Sequence, residues 1–135
     1  MVRMAQRRNH AAVTQGRVRL DQGDAASLPY ADASFDKICA THTLYFWADL
    51  ERVARELGRV LKRDGRLVLG FRDDGDMRHA FPSKVYTLRS PDEVRAALQH
   101  AGFTQVHVES SVCGARSMHW AVAEGQVGRD GYTDV

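Results

Sequence analysis

The first part of the chain changes from a helical to an extended pattern of hydrophobic positions. Residues 1–14 repeat apolar side chains near helical spacing, with arginines on the opposite face. This pattern predicts a helix that ends at Gly16. Residues 17–22 alternate apolar and polar positions and predict a strand. The Gly, Asp, Pro and Ser residues of 23–34 are typical of a loop, which should separate this strand from the next.

The middle of the chain predicts a strand–helix–strand unit. An apolar run over 35–41 predicts a buried strand of a parallel sheet. A helix follows, with Asp49 as its N-cap and Asp64-Gly65 as its end. Its buried stripe is predicted to comprise Leu50, Val53, Ala54, Leu57, Val60 and Leu61. Residues 66–71 then predict a second buried strand, which completes a βαβ unit.

The last third carries a long irregular segment and a well-marked helix. Residues 72–89 have no clear period and predict a long loop. Ser90, Pro91 and Glu93 then form the sequence signature of a capping box, and Gly102 marks the helix end.

Two alternating segments, 103–111 and 117–124, predict an antiparallel hairpin. Residues 125–135 are predicted to form a flexible tail. The order of elements predicts one α/β domain over residues 1–135, with a mostly parallel sheet and an antiparallel C-terminal hairpin.

Composition narrows the class of protein. The chain has 135 residues, 44% of them hydrophobic, as in a single globular domain. Its net charge of +2, from 19 basic and 17 acidic residues, gives no support for a nucleic-acid partner. No apolar run approaches the ~20 residues of a membrane helix. The two cysteines are interpreted as reduced thiols, which favours a cytoplasmic location.

An ordered series of short motifs then indicates a family. The matching residues are Gly23-Asp24-Ala25, Leu28-Pro29-Tyr30, Asp32, Ser34-Phe35-Asp36, Glu56, Arg59-Val60-Leu61-Lys62 and Gly65. In this order and spacing they resemble the class I methyltransferases that depend on S-adenosylmethionine (SAM). The resemblance implies a Rossmann-like, three-layer αβα sheet, of which this sequence carries about the last two-thirds.

The resemblance also implies elements that this sequence does not contain. Family members carry a strand, a glycine-rich loop, a helix and a second strand ahead of the region that matches residue 1. No two glycines here are separated by a single residue, so there is no G-x-G. The chain is therefore interpreted as a truncated domain in which SAM binding is expected to be weak or absent.

The two missing strands would lie between 17–22 and 35–41. Either 17–22 moves in beside 35–41, or two chains pair there as a homo-dimer or higher oligomer.

The resemblance assigns site residues at two places. Asp24, Ala25 and Leu28 would contact the adenine of SAM, although Asp24 alternatively only turns its loop and Leu28 alternatively belongs to the core. The other set lies near the methionine end of the cofactor and consists of Ala40, Thr41 and His42. His42 is the candidate catalytic residue, as a general base or substrate contact, with a structural histidine as the equal alternative.

Three further groups of residues are weaker candidates for a catalytic or binding role. Tyr45, Phe46 and Trp47 either line a pocket for a small-molecule substrate or, as is favoured, close the core. The acidic residues 73, 74 and 76 are better explained as a solvated turn, and no metal site is predicted. Glu56 and Arg59, at (i, i+3) spacing, predict a salt bridge. The function follows as SAM-dependent methyl transfer to an unknown acceptor, or a non-catalytic remnant that acts as an oligomeric interaction module.

Overall fold

Helices and strands alternate around one mixed sheet in the computed structural model, which describes residues 1–72, 87, 89–114 and 116–125. The helices are α1 (Val2–Arg8), α2 (His10–Thr14), α3 (Leu50–Val60) and α4 (Pro91–His100), with a short 3-10 turn at Leu44–Phe46. The strands are β1 (Phe35–Thr41), β2 (Leu61–Phe71), β3 (Thr104–Cys113) and β4 (Arg116–Glu124).

The strand order is β1-β2-β4-β3. β1 and β2 are parallel neighbours, with Thr41 opposite Gly70, as the βαβ prediction requires. β4 pairs antiparallel with both β2 and β3, which confirms the predicted C-terminal hairpin and the α/β class. Parallel pairing is confined to the β1–β2 pair, so the described sheet is less parallel than the sequence suggested.

One face of the sheet carries the hydrophobic core. Leu67, Leu69 and Phe71 of β2 are at most 1% exposed, and Ala121 and Ala123 lie opposite Leu69 and Leu67 on β4. α3 and α4 contact each other and pack on this face. Such alternation of buried positions is the signature of a sheet covered on one side.

The opposite face has no such layer within the described residues. Val68, Trp120 and Val122 on this face are only half-buried. α1 and α2 contribute no buried residue, so they do not form the second helical layer that a three-layer fold implies. The described part of the chain therefore shows one helical layer on one sheet.

α3 matches its predicted stripe but ends earlier than predicted. Asp49 caps it, accepting a hydrogen bond from the Arg52 N–H at 3.1 Å. All six predicted stripe residues are buried. The prediction that Asp64-Gly65 stops the helix is wrong, because the chain enters β2 at Leu61.

The early end of α3 has a non-local cause. The N–H groups of Ala33 and Ser34 donate to the last helical carbonyls, Arg59 O and Val60 O, both at 2.8 Å. These bonds satisfy carbonyls that a helix end otherwise leaves free. Gly65 is then used inside the strand, where a Cβ would come within 2.8 Å of the Asp36 carbonyl oxygen.

α4 begins as predicted. Ser90 Oγ accepts from the Glu93 N–H, and the Glu93 carboxylate accepts from the Ser90 N–H, which completes the capping box. Val94, Ala97 and Leu98 turn into the core. The helix therefore has both the local start signal and the packing that stabilise it.

The strand predicted at 17–22 is absent. In that part of the chain the structure shows only an isolated bridge between Asp24 and Ser27. A strand needs a neighbour to satisfy its backbone, and β1 pairs only with β2 among the described residues. The segment 17–22 therefore has no neighbouring strand to pair with among the described residues, although its polar and apolar residues alternate.

β1 is also less buried than predicted. Lys37, Cys39 and Thr41 are exposed, and only Phe35, Ile38 and Ala40 of the strand are half-buried. The reason is its position at the end of the sheet.

The predicted N-terminal helix is present as two pieces. α1 and α2 are separated at Asn9, where φ is −112°, and Gly16 follows with φ +73°. The loop predicted at 72–89 and the tail predicted at 125–135 lie almost wholly outside the described residues.

Candidate functional site

The carboxyl end of β1 presents the first set of predicted site residues. Ala40 is half-buried, whereas Thr41 and His42 are exposed. The His42 N–H donates to Gly70 O at 2.9 Å and forms the last rung of the β1–β2 ladder. His42 has φ +56°, a conformation that is costly for a residue with a Cβ. Such outliers are concentrated at functional turns, and this one places the imidazole just beyond the strand.

Tyr45 holds the His42 ring. Its hydroxyl oxygen lies 3.1 Å from His42 Nδ1, and the two rings stack with centroids 6.1 Å apart. The same oxygen accepts a hydrogen bond from the Arg72 N–H at 2.6 Å. Burial raises the pKa of Tyr45 above its usual value, so the phenol stays protonated at neutral pH. Tyr45 thus links the end of β1 to the end of β2.

The Tyr45 contact limits what His42 can do chemically. If Tyr45 donates its proton to Nδ1, the neutral imidazole carries its own proton on Nε2 and acts as a donor there. If Nδ1–H donates to the tyrosine oxygen instead, Nε2 is left as an acceptor. Only the second tautomer gives His42 the general-base role that the sequence suggested.

The second predicted set lies in the loop after residue 22. Asp24 Oδ1 accepts a hydrogen bond from the Ala26 N–H at 2.9 Å, and Ser27 N–H donates to Asp24 O at 3.0 Å. Asp24 therefore turns its loop, as one of the two readings expected. Its second carboxylate oxygen makes no hydrogen bond to the described residues and remains an available acceptor. Ala25 and Leu28 are half-buried and pack against the core.

Arg59 and Glu56 fasten this loop to α3. Arg59 donates to Tyr30 O and Asp32 Oδ1, both at 2.8 Å, and to Leu28 O at 3.1 Å. Its Nη2 lies 2.6 Å from Glu56 Oε1, which confirms the predicted salt bridge. We call the pair Arg59–Glu56 the loop clamp.

The loop and α3 stabilise each other. Glu56 Oε1 accepts from the Leu28 N–H at 2.8 Å, while the loop in turn caps the end of α3. Hydrogen bonds from Arg59, together with that from the Leu28 N–H, hold the pKa of Glu56 below its usual value. Sequence reasoning found the ion pair but not its hold on the loop, because the partners lie 27 or more positions apart.

The structure separates the three aromatic candidates. Tyr45 is buried at 3% exposure and Trp47 is half-buried, in agreement with a role in closing the core. Phe46 is 58% exposed. Sequence reasoning missed Arg89, which is buried and donates to Leu44 O at 3.4 Å and Ala48 O at 3.1 Å. Burial lowers the pKa of Arg89, whose role is to tie the start of α4 to this turn.

The described residues form neither a metal-binding cluster nor a membrane-spanning helix. Among the described residues, no group of three or more His, Cys, Asp or Glu side chains is placed to hold a metal ion. The acidic residues 73, 74 and 76 lie outside that part of the chain. No helix in the described segments is long and apolar enough to cross a membrane.

The adenine contacts stay a prediction, and the chemistry of the residues concerned suits one side of SAM. A free carboxylate oxygen at Asp24 suits the amino group of adenine, and Leu28 offers an apolar surface beside it. Nothing in the sequence matches a glycine-rich turn with N–H groups for the methionine end. The Asp24 loop and the His42 turn are held by separate contacts, the first by α3 and the second by β2 and Tyr45.

Fold and motif series define the class as an α/β protein of the SAM-dependent methyltransferase type. Residues 1–69 match the family model described as a methyltransferase domain, which is about half of the chain. The chain belongs to this family and carries the C-terminal part of its domain.

Individual relatives agree with this assignment. The chain is 38% identical over 80 residues to the uncharacterized methyltransferase YcgJ of Bacillus subtilis, covering 58% of this chain and 32% of that protein. It is 34% identical over 111 residues to the 27-O-demethylrifamycin SV methyltransferase of Amycolatopsis mediterranei, covering 75% and 41%. The chain thus spans about a third to two fifths of these relatives.

A solved structure shows the same fold. The SAM-dependent methyltransferase from Thermotoga maritima superposes with a TM-score of 0.69 at 24% identity, covering 86% of this chain and 68% of that one.

Proposed function

We propose that this chain supplies the adenine-side wall of a SAM-binding cleft, for methyl transfer to a small-molecule acceptor. The observation that carries the proposal is the Asp24 turn. One carboxylate oxygen is used to shape the turn, and the other stays available as an acceptor at the end of a loop fixed by the loop clamp. The choice of SAM as the cofactor rests on family membership. The identity of the acceptor is not part of the proposal beyond its being a small molecule.

In this proposal His42 contacts the acceptor or removes its proton. Methyl transfer from a sulfonium needs alignment more than side-chain chemistry, since the methyl group is already activated. The exposure of His42 at the end of β1, with its ring held by Tyr45, supports this role. The Nδ1–H tautomer, donating to Tyr45, leaves Nε2 to take the proton.

A chain of this sequence is expected to bind SAM weakly. The sequence has no G-x-G turn for the methionine end, so fewer charge-assisted hydrogen bonds, each worth about 1.5–3 kcal/mol, are expected than in a SAM site with such a turn. Calorimetry is expected to show a dissociation constant for SAM well above the micromolar range.

The free thiol of Cys39 supports our proposal of a reducing, cytoplasmic setting.

The Asp24 assignment is tested with Asp24→Asn. The asparagine oxygen still accepts from the Ala26 N–H and keeps the turn, but its NH₂ replaces the free acceptor. Adenosine binding, followed by backbone amide shifts, is expected to weaken at least about fivefold, which is about 1 kcal/mol. Asp64→Asn, at an exposed position of β2, is the matched control and should leave binding unchanged. Equal binding by wild type and Asp24→Asn would refute the adenine role.

A second candidate function is an interaction module without catalysis. The exposed outer side of β1 favours it, since an unpaired strand edge is a ready template for another chain. The two functions are distinguished by adenosine binding, which the module does not require.

A further inference from the structure

Two buried polar atoms at the carboxyl edge of the sheet have no hydrogen-bond partner. One is Thr43 Oγ1, in the turn after β1, and the other is Arg72 Nε, directly after β2. Buried polar groups in folded proteins are nearly always bonded, because an unpaired donor loses its hydration without compensation. Two such atoms at one edge of a sheet therefore indicate a ligand that bonds to both.

Thr43 and Arg72 lie on two chain segments that Tyr45 joins. The Tyr45 hydroxyl accepts from the Arg72 N–H at 2.6 Å and lies 3.1 Å from Nδ1 of His42, the residue next to Thr43. The His42 N–H in turn donates to Gly70 O at 2.9 Å. The backbone that carries both unpartnered atoms is thus fixed on the ends of two paired strands.

The position of the two residues suits ligand binding. β1 and β2 are parallel neighbours, so the segments that follow them leave the sheet at the same edge. In open α/β sheets ligands bind just outside this edge. Thr43 and Arg72 are each only half-buried as whole residues, so rotation about side-chain bonds can bring the unpartnered atom to the surface.

The donor chemistry of the pair selects a carboxylate. A guanidinium keeps its positive charge at all ordinary pH values, and its Nε and Nη donors lie in one plane that matches the two oxygens of a carboxylate. The threonine hydroxyl supplies one more donor. One carboxylate can therefore satisfy both Arg72 Nε and Thr43 Oγ1, whereas a cationic group would be repelled by Arg72.

We propose that the acceptor carries a carboxylate, which Arg72 and Thr43 bind at the carboxyl edge of the sheet. This assignment rests on the proposed function and adds the chemical class of the acceptor to it. The carboxylate fixes the position of the acceptor beside the exposed His42, and the methyl group goes to a different group of the same molecule.

The first test uses benzoate as the probe and follows the backbone amide shifts of Thr43 and Arg72. Benzamide has the same shape without the charge and is expected to bind at least about tenfold more weakly. Arg72→Gln should weaken benzoate binding by a similar factor. Arg66→Gln, at an exposed position of β2, is the matched control and should leave it unchanged. Equal binding of benzoate and benzamide, or of benzoate by wild type and Arg72→Gln, would overturn the proposal.

The second test separates ligand binding from a structural role. Thr43→Val removes the hydroxyl and keeps the shape, so benzoate binding should weaken at least about threefold. Because Oγ1 has no partner in the chain, the unfolding temperature should not fall. Thr14→Val, at an exposed position of α2, is the matched control and should leave benzoate binding unchanged. A lower unfolding temperature with unchanged benzoate binding would show a structural hydroxyl and refute the proposal.

The third test identifies the source of the carboxylate, since SAM carries one as well. Adenosine and SAM are expected to shift the amides of 24–28 and not those of Thr43 and Arg72. The benzoate result and the Asp24 result are therefore read at different residues, and either can fail without the other. Shifts at Thr43 and Arg72 with SAM but not with adenosine, lost in Arg72→Gln, would assign the site to the cofactor and contradict the proposal.

Discussion

Residues 1–34 and residues 50–124 are held by different kinds of contact. The described residues of the second region build the core from α3, α4, β2 and the C-terminal hairpin, with many side chains fully buried. In the first region α1 and α2 bury nothing, and the loop before β1 stays in place through the loop clamp. Burial of apolar side chains stabilises the second region. The first region is held by polar contacts to α3 and by Ala25, Ala26 and Leu28, which pack at the margin of the core.

The difference indicates that the predicted adenine-binding loop takes its position from contacts with the core region. The fully buried hydrophobic side chains of the described residues all lie outside residues 1–34. The Asp24 loop depends on that core, through Arg59 and Glu56 of α3. The predicted adenine contacts, Asp24, Ala25 and Leu28, therefore lie in the region with fewer buried side chains, as is common for binding loops.

The largest expected effect comes from the core. Leu69→Ala empties a site that is 1% exposed and should lower the free energy of unfolding by about 2–5 kcal/mol. Met4→Ala, at a position 59% exposed on α1, should change it by less than about 0.5 kcal/mol. Urea unfolding of both variants makes the comparison. A loss at Met4 as large as that at Leu69 would mean that the N-terminal helices are packed after all.

His42 offers a smaller test of backbone strain. His42→Ala and His42→Gly both remove the imidazole and its contact with Tyr45, and differ only at the Cβ. Because φ is +56°, the glycine variant should be more stable than the alanine variant by about 1 kcal/mol. Thermal unfolding measures the difference. A more stable alanine variant would show that the left-handed turn is not present in solution.

The loop clamp should show in the pH dependence of stability. The pKa of Glu56 is lower in the folded chain, so its contribution is present above the unfolded value of 4.5 and is lost as pH falls through the folded value. Glu56→Gln should therefore be less stable than wild type at neutral pH, with the gap closing in acid.

Glu51→Gln is the matched control for the clamp. Glu51 is on the same helix, is 55% exposed and faces His100 at 3.5 Å, so its substitution should have a smaller effect. Amide exchange at 28–34 should be faster in Glu56→Gln than in either wild type or Glu51→Gln. Unchanged exchange there would contradict the role given to the loop clamp.

Local signals predicted the parts of the fold that local contacts decide. The stripe and cap of α3, the capping box of α4 and the C-terminal hairpin all follow from spacing within a short window. The predictions of a strand at 17–22 and of the end of α3 were wrong, because both features depend on residues that are distant in sequence. Alternation alone cannot provide a neighbouring strand, and the helix end is set by Ala33 and Ser34.

The candidate site divides in the same way. Asp24 was predicted from its place in the motif series, and His42 from its place at the end of the 35–41 strand. Arg59 and Tyr45 were predicted only as part of an ion pair and as a core aromatic. Arg59 bonds to the carbonyls of Tyr30 and Leu28, 29 and 31 positions away, and the Tyr45 hydroxyl accepts from the Arg72 N–H, 27 positions away, so local spacing does not reveal these contacts. The contact of Tyr45 with His42 is local, at (i, i+3) spacing, and was missed.

The central proposal is that residues 24–28 form the adenine side of a SAM cleft and that this chain binds SAM little more tightly than adenosine. The most direct test is a parallel titration of the wild-type chain with adenosine and with SAM, followed by backbone amide shifts. Both ligands are expected to shift the amides of 24–28, with dissociation constants in the ~millimolar range and within about threefold of each other. SAM binding about 100-fold tighter than adenosine, or no shift at 24–28 with either ligand, would contradict the claim.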